Sequence, residues 1–205
     1  MTKGASLPVE LIKTAAEPRD FPPPELPEVA AVGRSNVGKS SLLNCLFGIE
    51  GMAFVSKTPG RTQVVNFYRV GKDMVLVDLP GYGFAKVPAA VRRKWDSLVT
   101  AYLFERKALS LVLLLVDARR EPLAIDREVR DLLERAGRDY VVVVTKTDKL
   151  SRGRLRGEIS KLEKAYGASG NIPVIPFSAA TNEGRKELWK TIMSHVREPR
   201  RAPRT

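Results

Sequence analysis

The chain has 205 residues, 43% hydrophobic and 28% charged, a balance that suits one globular domain with a sizeable core and argues against a mostly disordered chain. With 35 Lys and Arg against 23 Asp and Glu the net charge is +12, a surface that attracts polyanions, either nucleic acid or an acidic membrane face. One cysteine, Cys45, and one histidine, His195, exclude an internal disulfide, leave too few ligands for a zinc site and argue against Ser-His-Asp or Cys-His catalysis.

The first 27 residues read as an extension. Val9–Ile12 suits a short edge strand, and Pro22–Pro24 with Pro27 break regular structure after it. Val29–Val32 is a short apolar strand entering a glycine-rich segment, and Ser41–Phe47 is helical in pattern. Asn66–Val70 and Met74–Asp78 form two strand-like runs joined by a turn at Gly71-Lys72-Asp73. Val91, Trp95, Leu98, Val99, Tyr102 and Leu103 recur at helical spacing, and Leu111–Asp117 is a continuous apolar strand. Ile125 to Ala136 marks a further amphipathic helix and Tyr140–Thr145 a β-branched strand. A helix through Leu155, Ile159 and Leu162, a strand at Ile172–Phe177 and a last helix through Leu188, Ile192 and Val196 complete the pattern. Continuous apolar strands alternating with amphipathic helices predict an α/β fold with a mostly parallel sheet covered on both faces, the hairpin supplying one antiparallel edge. Residues 28–196 form the expected domain, and 197–205 a basic tail. No basic-then-apolar leader opens the sequence, and Leu111–Val116, the longest apolar run, is too short to cross a bilayer. A cytoplasmic address without membrane insertion is the expectation.

Gly33-Arg34-Ser35-Asn36-Val37-Gly38-Lys39-Ser40 matches the phosphate-loop pattern at every fixed position. The glycines let the backbone curl so that successive N–H groups face phosphate oxygens, and the helix that starts here points its positive end at the same anion. Lys39 is placed to reach the β- and γ-phosphates and Ser40 to ligate Mg²⁺. The base is chosen elsewhere. Thr145-Lys146-Thr147-Asp148 closes a strand, where open parallel sheets hold ligands. A carboxylate at Asp148 can accept from guanine N1–H and the exocyclic amine, a donor pair that adenine lacks. Lys146 can lay its aliphatic stem along the base.

In order, the sequence resembles the five signature elements of the Ras-like, translation-factor-like GTPases: Gly33–Ser40, a switch threonine, Asp78-Leu79-Pro80-Gly81, Thr145-Lys146-Thr147-Asp148 and Ser178-Ala179. The resemblance implies a three-layer P-loop NTPase fold of the Ras-like G-domain kind, with a six-stranded sheet. It also implies GTP/GDP and Mg²⁺ as ligands. Asp78 would hold Mg²⁺ through water, and the Gly81 N–H would touch the γ-phosphate. Thr62 is preferred over Thr58 as the switch hydroxyl, acting as a second Mg²⁺ ligand and, with Lys39 and Gly81, in hydrolysis. Further nucleotide contacts are implied for Gly60, Arg61, Gln63, Val64, Phe177, Ser178 and Ala179. Thr145 stands where the broader family has Asn, giving one hydrogen-bond donor in place of two.

Tyr82 occupies the position where many GTPases place a water-orienting glutamine, so unaided hydrolysis is expected to be slow. Asn36 has two readings, a K⁺ ligand beside the phosphates or a loop residue satisfying its own backbone. At finer grain, Gly33–Asn44, Pro59-Gly60-Arg61-Thr62-Gln63, Asn66-Phe67 and Asp78–Gly83 resemble the EngB family of the TrmE-Era-EngA-EngB-Septin-like GTPase superfamily. That likeness implies assembly of the large ribosomal subunit, with its precursor particle and rRNA as partners, a role in cell division and septation, and a monomer. Basic clusters at Lys86, Arg92–Lys94, Arg152–Arg156 and Arg197–Arg204 agree with an RNA partner. A non-catalytic guanine-nucleotide sensor and a GTPase at the division site or membrane remain the rival readings.

Overall fold

The computed structural model describes residues 8–53, 64–83, 89–121, 124–166 and 172–197, with the backbone alone at 89–92, 94 and 95. Seven strands form one sheet in the order β1-β3-β4-β2-β5-β6-β7. They are β1 (Val9–Ala15), β2 (Glu28–Gly33), β3 (Val65–Val70), β4 (Met74–Asp78), β5 (Leu109–Asp117), β6 (Tyr140–Thr145) and β7 (Val174–Pro176). The helices are α1 (Lys39–Phe47), α2 (Ala89–Glu105), α3 (Ala124–Arg135), α4 (Arg152–Tyr166) and α5 (Arg185–Arg197).

Alternate residues of the central strands enter two separate cores, which makes the three layers. Ala30 and Val32 of β2 pack with Leu98 and Tyr102 of α2, Val129 and Leu133 of α3, and Tyr166 of α4. Val29 and Ala31 pack with Leu42, Leu43 and Leu46 of α1 and with Leu188 and Ile192 of α5. Every residue of β2, β4 and β6 is buried, as expected of strands covered on both sides.

The layered α/β architecture is the expected one, with two differences at one edge. The sheet has seven strands, not six, because the first apolar stretch runs on to Ala15 and pairs with β3 along its length. The antiparallel strand is therefore not the edge. β3 runs opposite to both β1 and β4, and β1 covers it, with a bulge between Leu11 and Lys13. Thr14 supports the pairing by donating its hydroxyl to Asn66 Oδ1 at 2.8 Å. At the other edge β7 is shorter than Ile172–Phe177: Pro173 has no N–H to give to a ladder, whereas Pro176 lies within the strand and Phe177 N–H still donates to the Val144 carbonyl at 2.8 Å.

β2, β4, β5, β6 and β7 all run parallel. Their carboxyl ends, and the loops that follow, lie at one end of the sheet.

Candidate functional site

The glycine-rich turn leaves β2 at Gly33. A Cβ there would sit 2.9 Å from Leu115 Cβ and 2.9 Å from Val37 Cγ1, so only glycine fits. The turn closes through Val37 N–H donating to the Arg34 carbonyl at 3.1 Å. Asn36 (φ 63°) and Gly38 (φ 107°) take the left-handed region, and Gly38 is the residue from which α1 starts, with Leu42 N–H donating to its carbonyl. Lys39 and Ser40 open that helix. A turn of this shape presents backbone N–H groups and a helix N-terminus to an anion.

The loop after β4 is stitched onto this turn. Ser35 N–H donates to the Tyr82 carbonyl at 3.0 Å, Tyr82 N–H donates to the Gly33 carbonyl at 3.3 Å, and Arg34 and Tyr82 form an isolated parallel bridge. Gly81 approaches so closely that a Cβ would lie 3.1 Å from Ser35 Oγ. Asp78 ends β4, and Lys39 donates to its Oδ1 in a largely buried ion pair. Leu79 and Pro80 are buried, Leu79 N–H donating to Ala31. The Arg34 side chain crosses Gly83, where a Cβ would stand 3.1 Å from its Nε, and that buried Nε has no hydrogen-bond partner among the described residues.

Tyr82 turns its side chain away from this loop. It is 3% exposed and donates its hydroxyl to Asp126 Oδ1 of α3 at 2.9 Å. Burial, and then the Asp126 carboxylate, push its phenol far above the ordinary tyrosine range.

The segment after β6 crosses the phosphate loop from the other side. The Thr145 hydroxyl lies 2.6 Å from the Val37 carbonyl and 3.1 Å from that of Val116, so its single donor can serve the phosphate loop. Lys146, itself left-handed at φ 62°, donates its ammonium to the Asn36 carbonyl at 2.6 Å and to Asp117 Oδ2 at 2.9 Å. Asp148 receives the Ser178 hydroxyl at 2.8 Å and lies 3.2 Å from Lys149 Nζ. The Ser178 bond outweighs desolvation and, with Lys149, holds the Asp148 carboxyl below its ordinary range, so it is an ionised acceptor at neutral pH. Thr147 donates to Glu183 at 2.9 Å, and its N–H reaches the Phe177 carbonyl at 3.4 Å. Phe177 and Ser178 are buried and Ala179 half-buried, next to the Thr147–Asp148 turn.

The structure thus brings Gly33–Ser40, Asp78–Gly81, Thr145–Asp148 and Phe177–Ala179 to one end of the sheet. Val64 is half-buried just before β3. Gly60, Arg61, Thr62, Gln63, the alternative Thr58 and Lys86 lie outside the described residues, as do Arg200, Arg201 and Arg204. Two acids at this end have no place in the sequence reading of the site, Asp117 and Glu183. A charged residue closing the apolar run of β5 is the signal that points to Asp117. Glu183 has none, because its partner lies on a different loop. Among the described residues no group of three or more His, Cys, Asp or Glu is arranged to hold a metal ion by itself.

Residues 28–146 match the family described as 50S ribosome-binding GTPase, and residues 103–198 match the elongation factor Tu GTP-binding domain. A probable GTP-binding protein EngB of Geobacter metallireducens is 46% identical over 183 residues, 89% of each chain. The corresponding protein of Syntrophus aciditrophicus is 44% identical over 194 residues, 94% of this chain and 97% of its own. Among solved structures, a probable GTP-binding protein EngB superposes with TM-score 0.68 at 25% identity, covering 84% of this chain and all of that one. Aquifex aeolicus Era bound to GDP and aluminium fluoride also gives 0.68 at 25% identity, over 85% of this chain and 58% of that one. The fold and the converging loops therefore define a GTP-binding domain of the P-loop GTPase class. Within that class the chain belongs to the EngB family of GTP-binding proteins.

Proposed function

We propose that the chain is a GTP-hydrolysing switch that binds GTP or GDP with Mg²⁺ and acts in assembly of the large ribosomal subunit. The observation that carries the nucleotide is the carboxylate of Asp148, fixed by Ser178 beside a lysine that itself reaches the phosphate loop. Exchanging it for an amide replaces an acceptor by a donor facing the guanine N1–H. Asp148→Asn is expected to weaken GTP and GDP binding about a hundredfold in calorimetry while admitting xanthosine nucleotides, whose 2-oxo group accepts. Unchanged GTP affinity would sink the guanine reading.

Ser40 and Asp78 are oxygen donors at the mouth of the phosphate loop, and Asp78 already faces a cation, the Lys39 ammonium. In our reading this set would hold a hard ion such as Mg²⁺ through Ser40 and Thr62 directly and through Asp78 by way of water. Bound there, Mg²⁺ would neutralise charge on the β- and γ-phosphate oxygens. Lys39 then exchanges Asp78 for phosphate, and Gly81 offers its N–H next to Ser35. No residue of this chain at position 82 can orient water, since the Tyr82 hydroxyl is engaged by Asp126, which supports slow unaided hydrolysis. In this reading Asn36 would hold a K⁺ ion, which would supply the missing positive charge, and equal turnover in K⁺ and Na⁺ would remove it. The core position of Tyr82 also favours a second reading, a sensor that binds guanine nucleotide without turning it over. Stimulation of hydrolysis by purified large-subunit precursors separates the two.

The ribosomal partner is supported by the family match, by the net charge of +12, and by exposed Arg152, Arg154 and Arg156 on the first turns of α4. Binding to phosphates through such residues should fall steeply with salt. GTP-dependent co-sedimentation with large-subunit precursors at two salt concentrations tests it, and indifference to nucleotide would rule out the switch. Residues 28–196 as the GTP-binding unit, 197–205 as a basic tail, a monomeric cytoplasmic protein and a part in cell division and septation complete the proposal. No helix among the described residues is long and apolar enough to cross a membrane.

A further inference from the structure

We propose that Asp117 is a positioning residue for guanine nucleotide, acting through Lys146. The inference rests on the guanine-nucleotide reading above and adds a residue outside the signature loops.

Asp117 is the last residue of β5 and stands opposite Thr145 in the β5–β6 ladder, one residue before Lys146. Its side chain is 8% exposed, and each of its oxygens has a fixed task. Oδ2 receives the Lys146 ammonium at 2.9 Å and Arg119 Nη2 at 2.8 Å. Oδ1 receives the Arg119 backbone N–H at 3.0 Å and its Nε at 2.9 Å. The guanidinium fork therefore fixes the rotation of the carboxylate, and the carboxylate in turn fixes the ammonium. Desolvation raises the Asp117 pKa, but the bonds from Arg119 and Lys146 outweigh it, so the group stays charged well into acid.

A lysine is a point charge on a flexible four-carbon stem, and holding that stem in one path costs rotamer freedom. Here the tip is tied at two points, the Asn36 carbonyl and Asp117, while the backbone at 146 sits in the left-handed region. The stem passes over the phosphate loop, with Lys146 Cε 3.8 Å from where a Cβ on Gly38 would lie. Stem and loop are thus organised before any base arrives. Without the carboxylate, the Asn36 carbonyl alone among the described residues is left to hold the tip, and ordering the stem falls to the binding step. The same ammonium reaches Asn36, which is itself left-handed, so Asp117 also helps to fix the phosphate loop.

The competing account is that Asp117 only holds Arg119 in the turn after β5. The two accounts differ in whether the effect passes through Lys146. Calorimetric GDP binding in Mg²⁺ buffer, with the full chain, measures wild type, Asp117→Asn, Lys146→Met and the double variant. The melting temperature of each without nucleotide is recorded beside it. Asp117→Asn keeps the shape of the side chain and is expected to weaken GDP and GTP equally, by about tenfold, raising KM for GTP and leaving kcat nearly unchanged. On the Lys146→Met background the same change is expected to cost less than about twofold. An equal loss on both backgrounds would overturn the proposal, as would Asp117→Asn binding GDP like wild type with only its melting temperature lowered. Asp148→Asn, measured alongside, reports on the guanine reading itself. If that variant binds GDP as tightly as wild type, the reading falls and the proposal falls with it. If it weakens while Asp117→Asn does not, the proposal alone fails.

Discussion

At position 82 backbone and side chain serve different neighbours. The backbone joins the loop after β4 to the phosphate loop, and the phenol is packed between helices and given to Asp126. Tyr82→Phe keeps the ring and removes the donor to a buried carboxylate. It is expected to lower stability by about 1–3 kcal/mol in urea unfolding, with the m-value unchanged. Its GTP turnover is expected to stay near wild type, because the hydroxyl faces α3 and not the phosphate loop. From sequence, Tyr82 is legible as an absent glutamine but not as a core residue. Its partner Asp126 lies on a helix that no local pattern links to that loop. The signature residues were legible for the opposite reason: a turn that must curl around phosphates needs glycines at fixed spacing, and such spacing survives in one dimension. Asp117 is marked in the sequence only as the charge that closes β5 and Glu183 not at all, and spacing does not link them to their partners Lys146 and Thr147.

Among the elements, the short segment between β7 and α5 braces the Thr147–Asp148 turn. It carries Ser178 on Asp148 and Glu183 on Thr147, and it ends at Gly184 (φ 75°). A Cβ on Gly184 would stand 1.9 Å from the Pro176 carbonyl oxygen, a contact with backbone that no side-chain motion relieves. Gly184→Ala is expected to cost at least about 2 kcal/mol by thermal unfolding, and to weaken GDP binding because Ser178 and Glu183 move with the segment. Helices and long strands followed from apolar periodicity, since burial on one or two faces dictates it. The sheet edges followed only in part: Val9–Ile12 reads as a short edge strand and Ile172–Phe177 as a strand, but their true extents, Val9–Ala15 and Val174–Pro176, do not show in the pattern. Exposed strands such as β1, with Glu10 and Lys13 on the surface, carry no strong apolar signal, and their pairing depends on a partner far along the chain.

Over the whole molecule, the end of the sheet opposite the loops is fastened by a buried ionic cluster. Glu28, 2% exposed, receives the Tyr102 hydroxyl at 2.8 Å and the Arg106 guanidinium at 2.5–3.1 Å. Arg106 also lies over the Phe21 and Phe67 rings, which tie the segment before β2 to β3 and to the end of α2. Glu28→Gln leaves a buried guanidinium without its counter-charge and is expected to cost about 3 kcal/mol in denaturant unfolding. GDP affinity of the folded protein is expected to hold within about twofold, because Glu28 is at the far end of β2 from Gly33. The members of this cluster come from four separate parts of the chain, so no local reading of the sequence could assemble it. The sheet order has a further consequence for how the chain is made. β2, which carries the phosphate loop, lies between β4 and β5, and Ala30 is bonded into the ladder beside both Val77 and Val112. That strand, apolar on both faces, can pair on one side once the chain has reached Val77 and on both only once it has reached Val112. Its pairings are long-range, and the rate of folding will be set by closing those loops rather than by the helices between them.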